Sequence, residues 1–272
     1  MPGSTTRPNQ RGHQPLLGVA ALAFWLAVWQ LVSMAVGQEL LVPSPGTVLV
    51  TLAQLAVTPA FWQTTATSLL RVLLGFLAGV LGGVVAAVLT TRYRLVDALV
   101  SPLLRVVRAA PVASFIILAL VWIPTGRLPA FISFLMVVPV VWESMVQGIA
   151  RQDRDLLEVA EVFGFGWWHT LRRIRIPLLL PFFAAACATG MGLAWKSGIA
   201  AEVISRPPIA VGSQLQDAKI YLETPQVFAW TITVVVLSLV LEGILRWAAG
   251  RATTWLAVGT APAGEGGTNA EA

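Results

Sequence analysis

Charge is what this chain has least of. Only 11% of its 272 residues are Asp, Glu, Lys or Arg, and 57% are hydrophobic, whereas a soluble domain is nearer a quarter charged. So little polar surface cannot face water all round, and a bilayer is the natural solvent. A single cysteine, Cys187, rules out an intrachain disulfide and a thiolate metal cage. The two histidines, His13 and His169, are far apart and unaccompanied, so a histidine metal site is not expected. No His, Asp and Glu cluster suggests an enzyme working at the bilayer face. Gly190 to Ser197 nearly spells a phosphate-binding loop, but Trp195 stands where that loop needs glycine. Any nucleotide hydrolysis therefore belongs to another chain, and no cofactor is expected in this one.

What is present is a series of apolar runs long enough to cross a membrane, a crossing needing roughly 20 residues. The clearest are Leu16 to Val36, Thr67 to Thr91, Leu178 to Ala194 and Phe228 to Trp247. Between Leu99 and Gln147, five prolines interrupt the pattern, and Ile123-Pro124-Thr125-Gly126 signals a turn. Two spans fit there, Val112 to Trp122 extended back toward Leu99, and Leu128 to Gln147. The expectation is an all-α polytopic membrane protein with about six transmembrane helices. Residues 1–15 read as a disordered cytoplasmic tail, 16–251 as the transmembrane domain and 252–272, rich in Gly and Ala, as a second disordered cytoplasmic tail. The first apolar run reads as a retained span, because it lacks a small-residue cleavage site.

The formal charge of +5 does not point to nucleic acid, because the arginines fall between the apolar runs. With the N-terminus inside, the inner segments hold thirteen of the eighteen Lys and Arg residues. Arg127, Arg206 and Lys219 remain outside. That asymmetry predicts cytoplasmic termini. Two outer connections, Gly37 to Gln63 and Gly198 to Pro225, are candidate contacts for an external partner. The first holds an amphipathic run from Val48 to Leu55, expected at the membrane interface. Gly75, Gly79 and Gly83, at four-residue spacing, predict close helix packing in lipid.

The segment Glu158 to Pro181, EVAEVFGFGWWHTLRRIRIPLLLP, is polar and basic between apolar runs. Leu157, Ala160 and Phe163 share a helical face. Gly164 and Gly166 should break the helix, with Gly164 in a sharp reversal and little room for a side chain. Trp167, Trp168 and Leu171 should start a second short helix, and Arg172, Arg173 and Arg175 should anchor the return to the membrane. The result is a cytoplasmic helix–turn–helix. Glu158, Ala160, Gly164, Ile174 and Pro177 stand at the spacing of the "EAA" signature, and the segment resembles the coupling loop of ABC importer permeases. Val159 and Ile176 replace Ala and Leu of that pattern. Val42-Pro43-Ser44-Pro45, Ser68 to Phe76 and Ala194 to Ile204 are similar to the nitrate, sulfonate, taurine and bicarbonate branch of the family.

The resemblance implies a permease subunit of the bacterial inner membrane, with an ATP-binding subunit that carries ATP and magnesium. It also implies an extracytoplasmic solute-binding protein and a second permease copy, most simply in a homodimer. The solute it implies is a small anion such as a sulfonate or nitrate; a vitamin precursor, for example a thiamine-related pyrimidine, is the alternative. Arg71 and Lys196 are the candidate lining of the solute path. A structural rival role for Lys196 is an ion pair with Glu202. An ion-gradient-driven secondary transporter is the rival from another class, but it would want mid-span carboxylates and inverted repeats, and it would leave the Glu158 to Pro177 spacing unexplained.

Overall fold

The computed structural model describes residues 14–152 and 162–258, and the regular elements among them are all helical. In order, α1 is Gln14–Val36, α2 Pro45–Val57, α3 Pro59–Arg92, α4 Arg94–Ala109, α5 Val112–Ala119 and α6 Leu128–Ala150. The single turn α7, Trp167–Thr170, passes through a π-helical stretch, Leu171–Arg175, into α8, Ile176–Ser205. α9 is Val211–Ile220 and α10 is Thr224–Val258. Five helices are long and apolar enough to cross a membrane, and a bent pair supplies a sixth candidate. The predicted tails lie largely outside the described residues, although α10 runs on past Arg251.

That sixth crossing is not the single helix expected from Leu99 to Trp122. α4 and α5 meet at 106°. The cause is Pro111, which caps the start of α5. A residue before proline is pushed out of the helical region, and Ala110 is extended at φ −80°, ψ 145°. α4 also has the wrong composition for a spanning helix. Arg94, Asp97, Ser101, Arg105 and Arg108 recur at three- and four-residue intervals and give it one polar face.

The chain divides into two compact units, Met1–Gln63 with Gln214–Thr233, and Thr64–Ser213 with Val234–Ala272. In the first, the amphipathic run around Val48 becomes α2. Ser44 caps it, accepting a hydrogen bond from the Thr47 N–H at 3.1 Å, with Pro45 at the first helical position. The Trp29 indole donates to the Pro43 carbonyl at 3.1 Å and the Ser33 hydroxyl to that of Val42 at 3.0 Å. Those two bonds tie the segment before α2 to α1. Trp29 stacks on Phe228 and Phe61 on Trp230, with centroids 5.6 and 5.0 Å apart.

The second unit is built on α3, α6 and α8. The glycines of α3 face α6, as their spacing predicts. A β-carbon at Gly75 would lie 2.2 Å from the Ala130 carbonyl oxygen, and at Gly79 or Gly83 2.7 Å from the β-carbon of Val137 or Val141. Only glycine permits this approach, and in lipid such close packing is a main source of helix association. The Ser133 hydroxyl of α6 then donates to the Ala194 carbonyl of α8 at 3.0 Å. Trp142 of α6 donates to Thr90 of α3 at 2.9 Å.

Gly79→Leu should therefore lower the thermal unfolding midpoint of the detergent-solubilised protein, by an overpacking cost of about 1–3 kcal/mol. Gly18→Leu, where nothing lies within 4 Å, is the control. Equal midpoints for both would show that the α3–α6 contact is not close.

Candidate functional site

The first candidate region is the turn before α7. Glu158 and Ala160 lie outside the described residues. Gly164 has φ +67°, the left-handed conformation that side chains resist. The expected lack of space is not found, because a β-carbon there would meet nothing within 4 Å. The demand for glycine comes from the backbone angle alone. Gly166 caps α7. Around the turn, Val162, Phe163, Trp167 and Trp168 are strongly exposed, Trp167 at 70%. Trp168, His169, Arg172 and Arg173 line a cavity of about 360 Å³.

The helix begun at Trp167 does not end before the membrane. It continues to Ser205 for 39 residues, where a short helix and a separate return were expected. The π-helical stretch makes this possible. Pro177 has no N–H, so an α-helical partner is missing for the Arg173 carbonyl. One turn earlier the helix widens, and the Ile176 N–H donates to the Leu171 carbonyl five residues back. Ile174 sits half-buried in the widened turn, and Pro177 is the second residue of α8.

The second region surrounds Glu202, which is fully buried. Its Oε2 accepts from the Ser68 hydroxyl at 2.8 Å and from the Gly212 N–H at 3.1 Å. Ser68 in turn accepts from the Val211 N–H at 2.9 Å. Arg71 stands 3.6 Å from Glu202 Oε1 and donates to the Ile209 and Pro208 carbonyls at 3.0 and 3.1 Å. The network binds α3, the end of α8 and the start of α9 to the intervening strap. Arg206 and Ile209 of that strap hold positive φ, +48° and +52°, conformations that persist only where the surroundings impose them. The role of Glu202 as hub was missed in the sequence.

Lys196 does not pair with Glu202. Residues six apart on one helix point roughly 120° from each other. Lys196 instead lines a cavity of about 370 Å³ with Thr189 and Gly192 of α8 and Glu242 and Arg246 of α10. Glu242 and Arg246 are 3.6 Å apart. The two candidate pathway cations thus sit in different settings: Arg71 is bound into a buried network, and Lys196 borders an open charged cavity.

Removing one partner of a buried pair costs about 3–5 kcal/mol, so Glu202→Ala should sharply lower the unfolding midpoint. Glu202→Gln, which still accepts from Ser68 and Gly212, should recover part of the loss. A wild-type midpoint for Glu202→Ala would remove the network from the structure's support.

Comparison with known proteins gives the family. Residues 79–254 match the family described as "Binding-protein-dependent transport system inner membrane component". A "Probable ABC transporter permease protein" of Brucella melitensis biotype 1 is 31% identical over 69% of this chain and 76% of its own length. The riboflavin transport system permease protein of Chloroflexus aurantiacus is 28% identical, over 89% and 94%. The taurine transport system permease protein of Escherichia coli is 26% identical, over 89% and 90%. Permeases of this family work with an ATP-binding subunit and a solute-binding protein. The chain belongs to the inner-membrane components of binding-protein-dependent transport systems: it is an ABC importer permease, a multi-pass transport protein rather than an enzyme.

Proposed function

We propose that this chain forms the pathway for a small organic anion, a sulfonate first among candidates, and is driven by an ATP-binding subunit docked at the turn around Gly164. One observation carries the reading, the unbroken helix from Trp167 to Ser205. At about 1.5 Å per residue it is nearly 60 Å long, against a hydrocarbon core of about 30 Å. Its first turns therefore have length to project beyond the membrane. They carry the exposed aromatic and arginine surface, and Lys196 and Glu202 lie farther along the same helix. A displacement applied at Trp167 reaches both along one helix, through the π-helical turn at Leu171–Arg175. Glu158, Ala160, Gly164, Ile174 and Pro177 are the residues of the docking loop, with ATP and magnesium held by the partner.

The solute reading rests on Lys196. Within a membrane an ionisable group without a close counter-ion is a functional-site hypothesis by default, and no ion pair is formed by Lys196 among the described residues. A positive lining raises the local concentration of an anion, and taurine, named for one relative, is an amino sulfonate. Arg71, with Glu202 beside it, adds less to such a lining and serves to hold the strap. The functional unit is a pair of permeases, most simply two copies of this chain, with both termini cytoplasmic as the arginine asymmetry requires.

Gly164→Val should insert normally yet co-purify poorly with the ATP-binding subunit or fail to stimulate uptake; full uptake would end the docking role. Lys196→Gln should reduce sulfonate uptake without loss of assembly. Wild-type rates, or riboflavin as the transported solute, would remove the anion reading. Reporter fusions after Arg94, Thr125, Arg206 and the C-terminus should read in, out, out and in, and a C-terminus outside would overturn the orientation.

A further inference from the structure

Building on the sulfonate reading above, we infer that the cavity between α8 and α10 takes a zwitterionic amino sulfonate, its anionic group on Lys196 and its ammonium group on Glu242. Two contacts fix how these helices lie against each other. The Trp195 indole of α8 donates to the Val234 carbonyl of α10 at 3.0 Å. A β-carbon at Gly192 of α8 would lie 3.3 Å from Glu242 Oε1 of α10. Numbers rise along α8 as they fall along α10, so the helices run antiparallel. Lys196 is one turn from Gly192 on the same face of α8, about 6 Å along the axis to one side of Glu242. Arg246 is one turn from Glu242 on α10 and lies to the other side, toward Thr189. Lys196, Glu242, Arg246, Gly192 and Thr189 all line the cavity of about 370 Å³. The order of charge along the seam is positive, negative, positive.

Two groups in that row are open. Arg246 stands 3.6 Å from Glu242 Oε2, which leaves Oε1 beside α8 at Gly192. Neither Oε1 nor the Lys196 ammonium has a hydrogen bond or close ion pair among the described residues. Opposite charges thus border one space without pairing across it. A plain anion entering there meets Lys196 but also the negative Oε1, which offsets the attraction. A zwitterion answers both: its sulfonate accepts from the Lys196 ammonium, and its own ammonium donates to Oε1. Hydrogen bonds between ionised groups are roughly twice as strong as neutral ones. Glu242 is therefore the residue that distinguishes an amino sulfonate from a sulfonate without the amine.

The test compares taurine with hydroxyethanesulfonate, in which a hydroxyl replaces the ammonium. The full-length chain, co-purified with its ATP-binding subunit in detergent, is titrated with each solute by ligand-observed NMR, with no solute-binding protein present. Taurine should bind about tenfold more tightly, the value of a hydrogen bond between charged groups. Glu242→Gln should abolish that preference, Glu242→Asp should restore part of it, and Lys196→Gln should weaken both solutes. Equal binding of the two solutes by the wild type, or a preference that survives Glu242→Gln, would overturn the inference and leave the sulfonate reading standing. Binding of neither solute would overturn both.

Discussion

A charge inside hydrocarbon has to be answered by the protein itself, and that constraint organises the second unit. Glu202 has no exposed surface, so its carboxylate recruits a hydroxyl from α3, a backbone N–H from α9 and a guanidinium from α3. Each donor brings its own element with it. Arg71 grips the Pro208 and Ile209 carbonyls of the strap between α8 and α9, in which Arg206 and Ile209 hold left-handed conformations. Glu143 answers Arg108, and Glu242 answers Arg246. Each of these carboxylates has an arginine beside it; the pairs of Glu202 and Glu143 join separate elements, and that of Glu242 lies within α10.

The sequence was most readable where one residue type has one physical use. Glycines at four-residue spacing on an apolar helix announced a close contact, and α6 supplies it. The amphipathic run from Val48 to Leu55 announced a helix, and α2 carries it. Gly164 announced a reversal, and the positive φ is there. The sequence was least readable where the partner is remote. Ser68 and Glu202 are 134 positions apart, and nothing local to either indicates the other. Lys196 was the nearer cation on the chain, but nearness along a helix is not nearness in space.

The bent pair shows a different limit. Counting apolar residues from Leu99 to Trp122 gives a span of acceptable length, because a count ignores which way side chains point. Spacing shows the polar face of α4, and the residue before Pro111 marks the break. Both were legible in the residues themselves, and length alone concealed them. The same lesson applies to Pro177. Read as a helix-starting proline it divides the docking segment from the span. With a π turn one step earlier it does not, and the two become one lever.

That lever also explains how a single helix can be locked and open together. Glu202 and Lys196 are six residues apart on α8, so their side chains leave the axis roughly 120° from each other. One direction faces α3 and is closed by hydrogen bonds. The other faces α10 and borders a cavity that holds Lys196, Glu242 and Arg246. A motion delivered from Trp167 meets resistance on the first face, where breaking a buried pair is costly. It meets little on the second, where the charges have room to rearrange. On the proposed reading, α8 turns about its locked edge, and Lys196, on the free face, moves with it.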